Sequence, residues 1–144
     1  DYPGACLALG ATIRTSKREI KADDFFTGMF DTALERDEIV KAVHFPKADK
    51  TAYEKFRNPA SRYAMVGVFV AKKGGTVKVA VTGAAPCVFR SAALEQALTA
   101  NFSAAAVDGV TIDAAGLNSD IHAQADYRAH LVKVMAKRAV TDAG

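Results

Sequence analysis

The sequence lacks tryptophan and has only two cysteines and four prolines in 144 residues. Two thiols, Cys6 and Cys87, cannot build a disulfide framework, and no Cys-x-x-Cys or Cys/His set is present for zinc. The thiols therefore favour a reducing compartment, and we expect the cytoplasm. The longest apolar run covers residues 64–71, which is too short to span a membrane.

An excess of charge of one sign is also missing. Lys and Arg number 19 and Asp and Glu number 16, which leaves a net charge of +3. Because this surplus is small and scattered along the sequence, we expect no nucleic-acid partner. Half of the residues are hydrophobic, which is globular composition. The sequence begins without Met or a basic and apolar leader, so we expect a piece of a longer polypeptide.

Motifs for phosphate binding and for nucleophilic catalysis are absent. The sequence has no G-x-G-x-x-G, no P-loop and no G-x-S-x-G. Gly74-Gly75 separates two strand patterns and predicts a hairpin turn. His122, Asp126 and His130 are spaced by four residues, which on a helix could bring two ligands to a metal. We favour a solvated helix face and predict no metal site, because no cysteine or second carboxylate joins the set.

Hydrophobic periodicity predicts an α+β fold. The expected elements are a helix at 3–9, strands at 11–15, 19–20, 38–45, 52–57, 64–73 and 76–82, and helices at 92–100, 103–107 and 120–140. Residues 64–73 are almost continuously apolar and should be buried on both faces. Residues 47–51 are the best linker. The apolar stripe of the last helix is predicted at Tyr127, Leu131, Val134 and Met135. Strands followed by helices indicate an antiparallel sheet with helices on one face.

Two groups of side chains leave a choice between core and site. Phe25, Phe26 and Phe30 could stack on a ligand, but burial in the core is the more common role of such a group. Lys55 lies in an otherwise aromatic strand, so it either extends to water or faces a site. From the residues alone, we favour burial in the core for the phenylalanines and extension into water for Lys55.

Three stretches of the sequence together resemble a known family. They are residues 24–46 (DFFTGMFDTALERDEIVKAVHFP), 53–71 (YEKFRNPASRYAMVGVFVA) and 120–139 (DIHAQADYRAHLVKVMAKRA). Their order and spacing resemble the FAD-binding medium subunit of molybdenum hydroxylases, the carbon monoxide dehydrogenase and xanthine dehydrogenase group. The resemblance implies that residues 1–49 end a PCMH-type FAD-binding domain. It implies that residues 50–144 form the C-terminal domain, an antiparallel sheet packed against about three helices.

The resemblance also implies residues that contact the flavin. Asp1 matches an aspartate that hydrogen-bonds the FAD, and Ile39 and Val40 match an apolar pair that packs against the ring. Lys55 matches a lysine that reaches the flavin from the C-terminal domain, where a cation would raise its potential. Tyr63 lies where relatives place a residue near the isoalloxazine. Many relatives have an acidic residue just before this strand, which this sequence replaces with Ser-Arg-Tyr, so the edge contact and the electron acceptor stay open.

The implied role is electron transfer. In the family, a large subunit carries the molybdenum cofactor, a small subunit carries two 2Fe-2S clusters, and the FAD passes electrons to an external acceptor. The loops that bind the FAD pyrophosphate lie upstream in the family, so this chain alone should hold FAD weakly. The phenylalanines, left without an upstream partner, would favour a homodimer. The alternatives are a non-catalytic α+β assembly module without flavin and a flavoprotein oxidase with the same type of FAD domain.

Overall fold

A short N-terminal helix packs between two antiparallel sheets. The structure is a computed structural model that describes residues 1–144. The helices are α1 (Tyr2–Leu9), α2 (Ala22–Phe25), α3 (Ala92–Ala100), a 3₁₀ helix (Ala104–Val107) and α4 (Ala125–Ala143). The strands are β1 (Thr12–Thr15), β2 (Glu19–Lys21), β3 (Phe26–Gly28), β4 (Asp31–Thr32), β5 (Val40–His44), β6 (Lys50–Arg57), β7 (Ala64–Lys73), β8 (Thr76–Thr82) and β9 (Phe89–Arg90). None of the helices combines the length and apolarity needed to cross a bilayer.

The larger sheet has the strand order β6-β7-β8-β9 and is antiparallel throughout. Its valines alternate along β7 and β8, and those on one face form the main core with α3, the 3₁₀ helix and α4. On the opposite face, Ala71 and Ala80 pack with residues of α1. The expectation that residues 64–73 are buried on both faces is therefore confirmed for most of the strand. Helix α1 covers the second face of the sheet, and the sequence pattern did not predict this packing.

A three-stranded sheet, in the order β2-β1-β5, and a two-stranded sheet of β3 and β4 belong to the first third of the chain. Gly10 ends α1 in the left-handed conformation, with φ 65°, and turns the chain into β1. Phe25 is buried beside α1, and its ring meets that of Phe26 edge to face at 5.1 Å. Phe30 is fully exposed at the turn between β3 and β4. The core interpretation is therefore correct for Phe25 and wrong for Phe30.

The final helix begins later than predicted. Asp120 Oδ1 accepts from the backbone N–H groups of His122 and Ala123, at 2.9 and 3.1 Å, and this turn delays α4 until Ala125. His122 therefore does not share a helix face with Asp126 and His130. No cluster of three or more His, Cys, Asp or Glu residues is arranged to hold a metal ion anywhere in the chain.

The predicted stripe on α4 is also shifted. The buried positions are Arg128, Ala129, Leu131, Val132, Met135, Ala136, Ala139 and Val140. Tyr127 is instead exposed, and its ring packs edge to face on Phe56 at 6.3 Å. Likewise, the predicted linker is shorter than expected, because Lys50 and Thr51 already pair with β7.

A buried carboxylate fixes the segment that leads into β5. Glu38 accepts from Thr15 Oγ1 at 2.6 Å, from Arg18 Nε and Nη2 at 3.1 Å each, and from the backbone N–H of Glu35 at 2.9 Å. The hydrogen bonds from Arg18, then from Thr15 and the backbone, lower the pKa of Glu38 to about 2. Glu38 thus anchors the chain next to Ile39 and Val40.

Glu38 should make the fold sensitive to acid. Its pKa is lower in the folded chain than the usual 4.5, so its stabilising contribution is complete above pH 4.5. That contribution is lost as the pH falls toward about 2. We expect Glu38→Gln to be less stable than the wild type above pH 4.5 and to lose less stability across this interval. Urea unfolding at a series of pH values measures the difference, and parallel pH curves for the two proteins would contradict the assignment.

Candidate functional site

The N-terminal end of α1 is the place where the two halves of the chain meet. The Asp1 carboxylate, which precedes α1, accepts from Tyr53 Oη and from Lys55 Nζ, both at 2.5 Å. Tyr53 and Lys55 are two residues apart on β6 and so point to the same face of the sheet. The Lys55 side chain is 18% exposed. Its ammonium therefore lies on a carboxylate of the first segment instead of extending into water.

Tyr53 is the member of this cluster that sequence reasoning missed. Its ring stacks on Phe69 at 5.9 Å between centroids and lies across Gly67 of β7. A Cβ at Gly67 would be 2.3 Å from Tyr53 Oη, so only glycine leaves room for the ring there. Burial raises the pKa of Tyr53 to about 12, so the phenol stays protonated at neutral pH and donates to Asp1. Its position two residues before Lys55 was the signal that could have identified it.

The side chains of Ile39 and Val40, the two apolar residues expected beside the flavin, lie in different surroundings. Val40 lines a groove of about 140 Å³ with Tyr2 and Pro3 of the first turn of α1. Ile39 does not line that groove. It is 64% exposed, and its carbonyl accepts from the backbone N–H of Ser16 at 2.9 Å. Val40 is thus the member of the pair that lies against α1, while Ile39 presents an apolar side chain to solvent.

Tyr63 ends a loop that is organised by a buried asparagine. Asn58 Oδ1 accepts from the N–H groups of Ala60 and Ser61, at 2.9 and 3.2 Å, and Asn58 N donates to Tyr63 O at 2.9 Å. Tyr63 borders a cleft of about 640 Å³ that also includes Pro3 of α1. Asp1, Lys55 and Val40 therefore lie at the first turn of α1, whereas Tyr63 borders the neighbouring cleft and packs on His122.

A buried guanidinium forms one wall of that cleft. Arg128 is 1% exposed, and its Nη1 donates to Met65 O at 2.6 Å and to Gly83 O at 3.2 Å. Its Nη2 donates to Asp120 Oδ2 at 2.7 Å, while Nε has no partner. Arg128 therefore ties the start of β7, the end of β8 and the turn before α4 together. Sequence reasoning also missed this contact, because the neighbours of Arg128 include Asp126, Tyr127 and His130 and give no sign that the guanidinium is buried.

Family models match almost the whole chain. The model of the FAD binding domain in molybdopterin dehydrogenase matches residues 1–48. The model of the CO dehydrogenase flavoprotein C-terminal domain matches residues 51–143. The two matches meet in the segment just before β6, so the contact of Asp1 with Tyr53 and Lys55 joins one matched region to the other.

Individual relatives give the same result. The chain is 28% identical to the nicotine 6-hydroxylase medium subunit of Paenarthrobacter nicotinovorans, over 100% of this chain and 56% of that protein. It is 30% identical to the carbon monoxide dehydrogenase medium chain of Hydrogenophaga pseudoflava, over 99% of this chain and 55% of that protein. The chain thus spans a little more than half of the length of these relatives.

Solved structures share the fold. The reconstituted CO dehydrogenase from Oligotropha carboxidovorans superposes with a TM-score of 0.82 and 25% identity, over 99% of this chain and 56% of that one. Quinoline 2-oxidoreductase from Pseudomonas putida 86 superposes with a TM-score of 0.79 at 24% identity, over 99% of this chain and 55% of that one. The expected α+β architecture is therefore confirmed. Because the C-terminal domain model covers most of its residues, the chain belongs to the CO dehydrogenase flavoprotein family, the FAD-binding medium subunits of molybdenum hydroxylases.

Proposed function

We propose that this chain is the C-terminal half of a flavoprotein medium subunit that transfers electrons from iron–sulfur clusters to an external acceptor. The observation that carries the proposal is the contact of Asp1 with Tyr53 and Lys55, which places three polar groups between the two matched regions. We place the domain boundary between residues 49 and 50. The proposed partners are a molybdenum-binding large subunit and an iron–sulfur small subunit, and the proposed compartment is the cytoplasm.

The residues around α1 fit one side of a flavin. Val40 and Tyr2 offer exposed apolar surface at the groove beside α1, while Ile39 is exposed outside that groove. Such a surface can cover a ring system and exclude water from it. No glycine-rich loop for a pyrophosphate is present in the sequence, so the residues fit the ring and not the phosphates. The bound FAD would supply the redox chemistry, and these side chains would orient it and set its electrostatic surroundings.

Asp1 and Lys55 form an ion pair, and this pairing determines how each residue affects the reduction potential of a nearby flavin. With both present, the ammonium and the carboxylate largely cancel at a distance. Removing the cation leaves an uncompensated carboxylate, whereas neutralising the carboxylate leaves an uncompensated cation. Negative charge near a flavin disfavours its reduction and positive charge favours it. The two single substitutions should therefore have opposite effects.

The test is the reduction potential of the full-length, FAD-loaded subunit. We expect Lys55→Met to make the potential more negative, and Asp1→Asn to make it more positive, each by roughly 20–40 mV for about 1–2 kcal/mol of electrostatic free energy. The double variant should return close to the wild type. Lys50→Met, which removes an exposed lysine from the other end of β6, is the control and should leave the potential unchanged. The assignment would be overturned if both single substitutions shifted the potential in the same direction, or if neither shifted it.

The 144-residue chain alone should be inactive and should bind FAD weakly, because half of a site loses most of the affinity. Isothermal titration with FAD checks this, and sub-micromolar binding would contradict it.

The exposed side chains of Tyr2, Phe30 and Ile39 should also make the isolated chain self-associate, which sedimentation would detect.

A further inference from the structure

A small hollow at the far end of the larger sheet carries a second set of functional groups. Its volume is about 330 Å³, and three lysines, Lys47, Lys73 and Lys78, line it together with Thr76. The end of α1 forms its floor, through residues that include Leu9 and Gly10. No carboxylate is among the lining residues.

Antiparallel pairing brings these lysines together. Lys73 is paired with Thr76, and Lys78 is paired with Ala71, so all four residues lie on the face of the β7–β8 hairpin that α1 covers. Side chains in this diagonal relation lie within reach of one another. Lys47 joins them from the segment before β6. The hollow is therefore built from parts of the sequence that are far apart.

The segments at this end of the sheet are rich in lysine. Residues 46–50 and 71–78 contain five lysines and one aspartate, a net charge of +4, whereas the whole chain carries +3. The remaining residues therefore carry a net charge of −1. The single aspartate, Asp49, accepts from the backbone N–H of Gly74 at 2.6 Å, and none of the five lysines forms an ion pair.

One of the lining lysines has a structural partner. Lys78 Nζ lies beside Gly10, since a Cβ built on Gly10 would be 2.9 Å from it. An ammonium there offsets the negative end of α1. Lys47 and Lys73 have no comparable partner, and two like charges that converge on one hollow repel each other. A bound anion would relieve this repulsion.

We propose that this hollow binds a compact polyanion, namely a ligand with a diphosphate or triphosphate group. Lysine is a common phosphate ligand that acts as a point charge, and the Thr76 hydroxyl can donate to a phosphate oxygen. The volume lies at the lower end of the range for small-molecule sites. Along β7, Lys73 is six residues from Gly67, the partner of Lys55, which is about 20 Å. The proposal is therefore independent of the proposed flavin role.

The experiment is calorimetric titration of inorganic pyrophosphate and of ADP into the 144-residue chain at low salt. We expect Lys73→Gln/Lys78→Gln to weaken binding at least tenfold. The matched control is Lys50→Gln/Lys72→Gln, which removes the same charge from the same end of the sheet but from the opposite face. It should weaken binding less than threefold. Lys47→Gln repeats the test without disturbing the lysine at the end of α1.

The outcomes distinguish a specific anion-binding site from non-specific electrostatic attraction to the lysines. No binding to the wild type, or equal losses in the two double variants, would overturn the proposal. Equal affinities for pyrophosphate and ADP would show that the phosphates alone are recognised, whereas tighter binding of ADP would identify a nucleotide as the source of the phosphates. Circular dichroism of each variant confirms that the fold is retained.

Discussion

Gly83→Ala is expected to lower the free energy of unfolding by roughly 4 kcal/mol, or to prevent folding. Gly83 follows β8 with φ 78°, a conformation that alanine adopts only at a cost. A Cβ at this position would also lie 2.2 Å from Ala64 O, at the start of the neighbouring strand. A backbone oxygen cannot rotate away as a side chain can. The ends of β7 and β8 would therefore have to separate.

Two other glycines divide this effect into its parts. Gly116 has φ 81° but open space around it, so Gly116→Ala should cost only the conformational part, about 1 kcal/mol. Gly109 has neither a positive φ nor a close neighbour, and Gly109→Ala should change stability by less than about 0.5 kcal/mol. Chemical denaturation of the three variants gives the order. Equal losses at Gly83 and Gly116 would show that the close approach to Ala64 does not matter.

The fold could be predicted from the sequence where local pattern decides it. β7 and β8 begin and end at the predicted residues, because alternating valines and the Gly74-Gly75 turn are local signals. α3 is likewise found at 92–100. The start of α4 was missed because an Asp120 side chain competes for the backbone N–H groups that would otherwise begin the helix.

The site could be predicted only in part. Local pattern carries no information about a contact such as that of Lys55 with Asp1, which are 54 residues apart. From the residues alone Lys55 was expected to extend into water, and the resemblance alone drew attention to it. The lysine-lined hollow was not predicted for the same reason, since its residues come together only when β7 pairs with β8 and α1 covers the hairpin. Long-range pairing, and not local propensity, creates both places.

The second large effect is expected at Arg128. Arg128→Met should lower the free energy of unfolding by about 3–5 kcal/mol. The substitution would leave the carbonyl oxygens of Met65 and Gly83 without the donor that now satisfies them. Methionine fills much of the volume but donates no hydrogen bond, so the loss is polar and not one of packing. Arg138→Met, an exposed position on the same helix, is the matched control and should change stability by less than about 0.5 kcal/mol.

The cause of the Arg128 effect can be separated from its ion pair. Asp120 is 43% exposed, so without Arg128 its carboxylate can be solvated. Asp120→Asn keeps the acceptor for the N–H groups of His122 and Ala123, but it removes the partner of Arg128 Nη2. Because the guanidinium keeps its hydrogen bonds to the two carbonyls, this substitution should cost less than Arg128→Met. If the ion pair were the main contribution, the two substitutions would cost the same. A much larger cost at Arg128 would instead assign its role to the two carbonyls, and hence to holding the strand ends beside the cleft that Tyr63 borders.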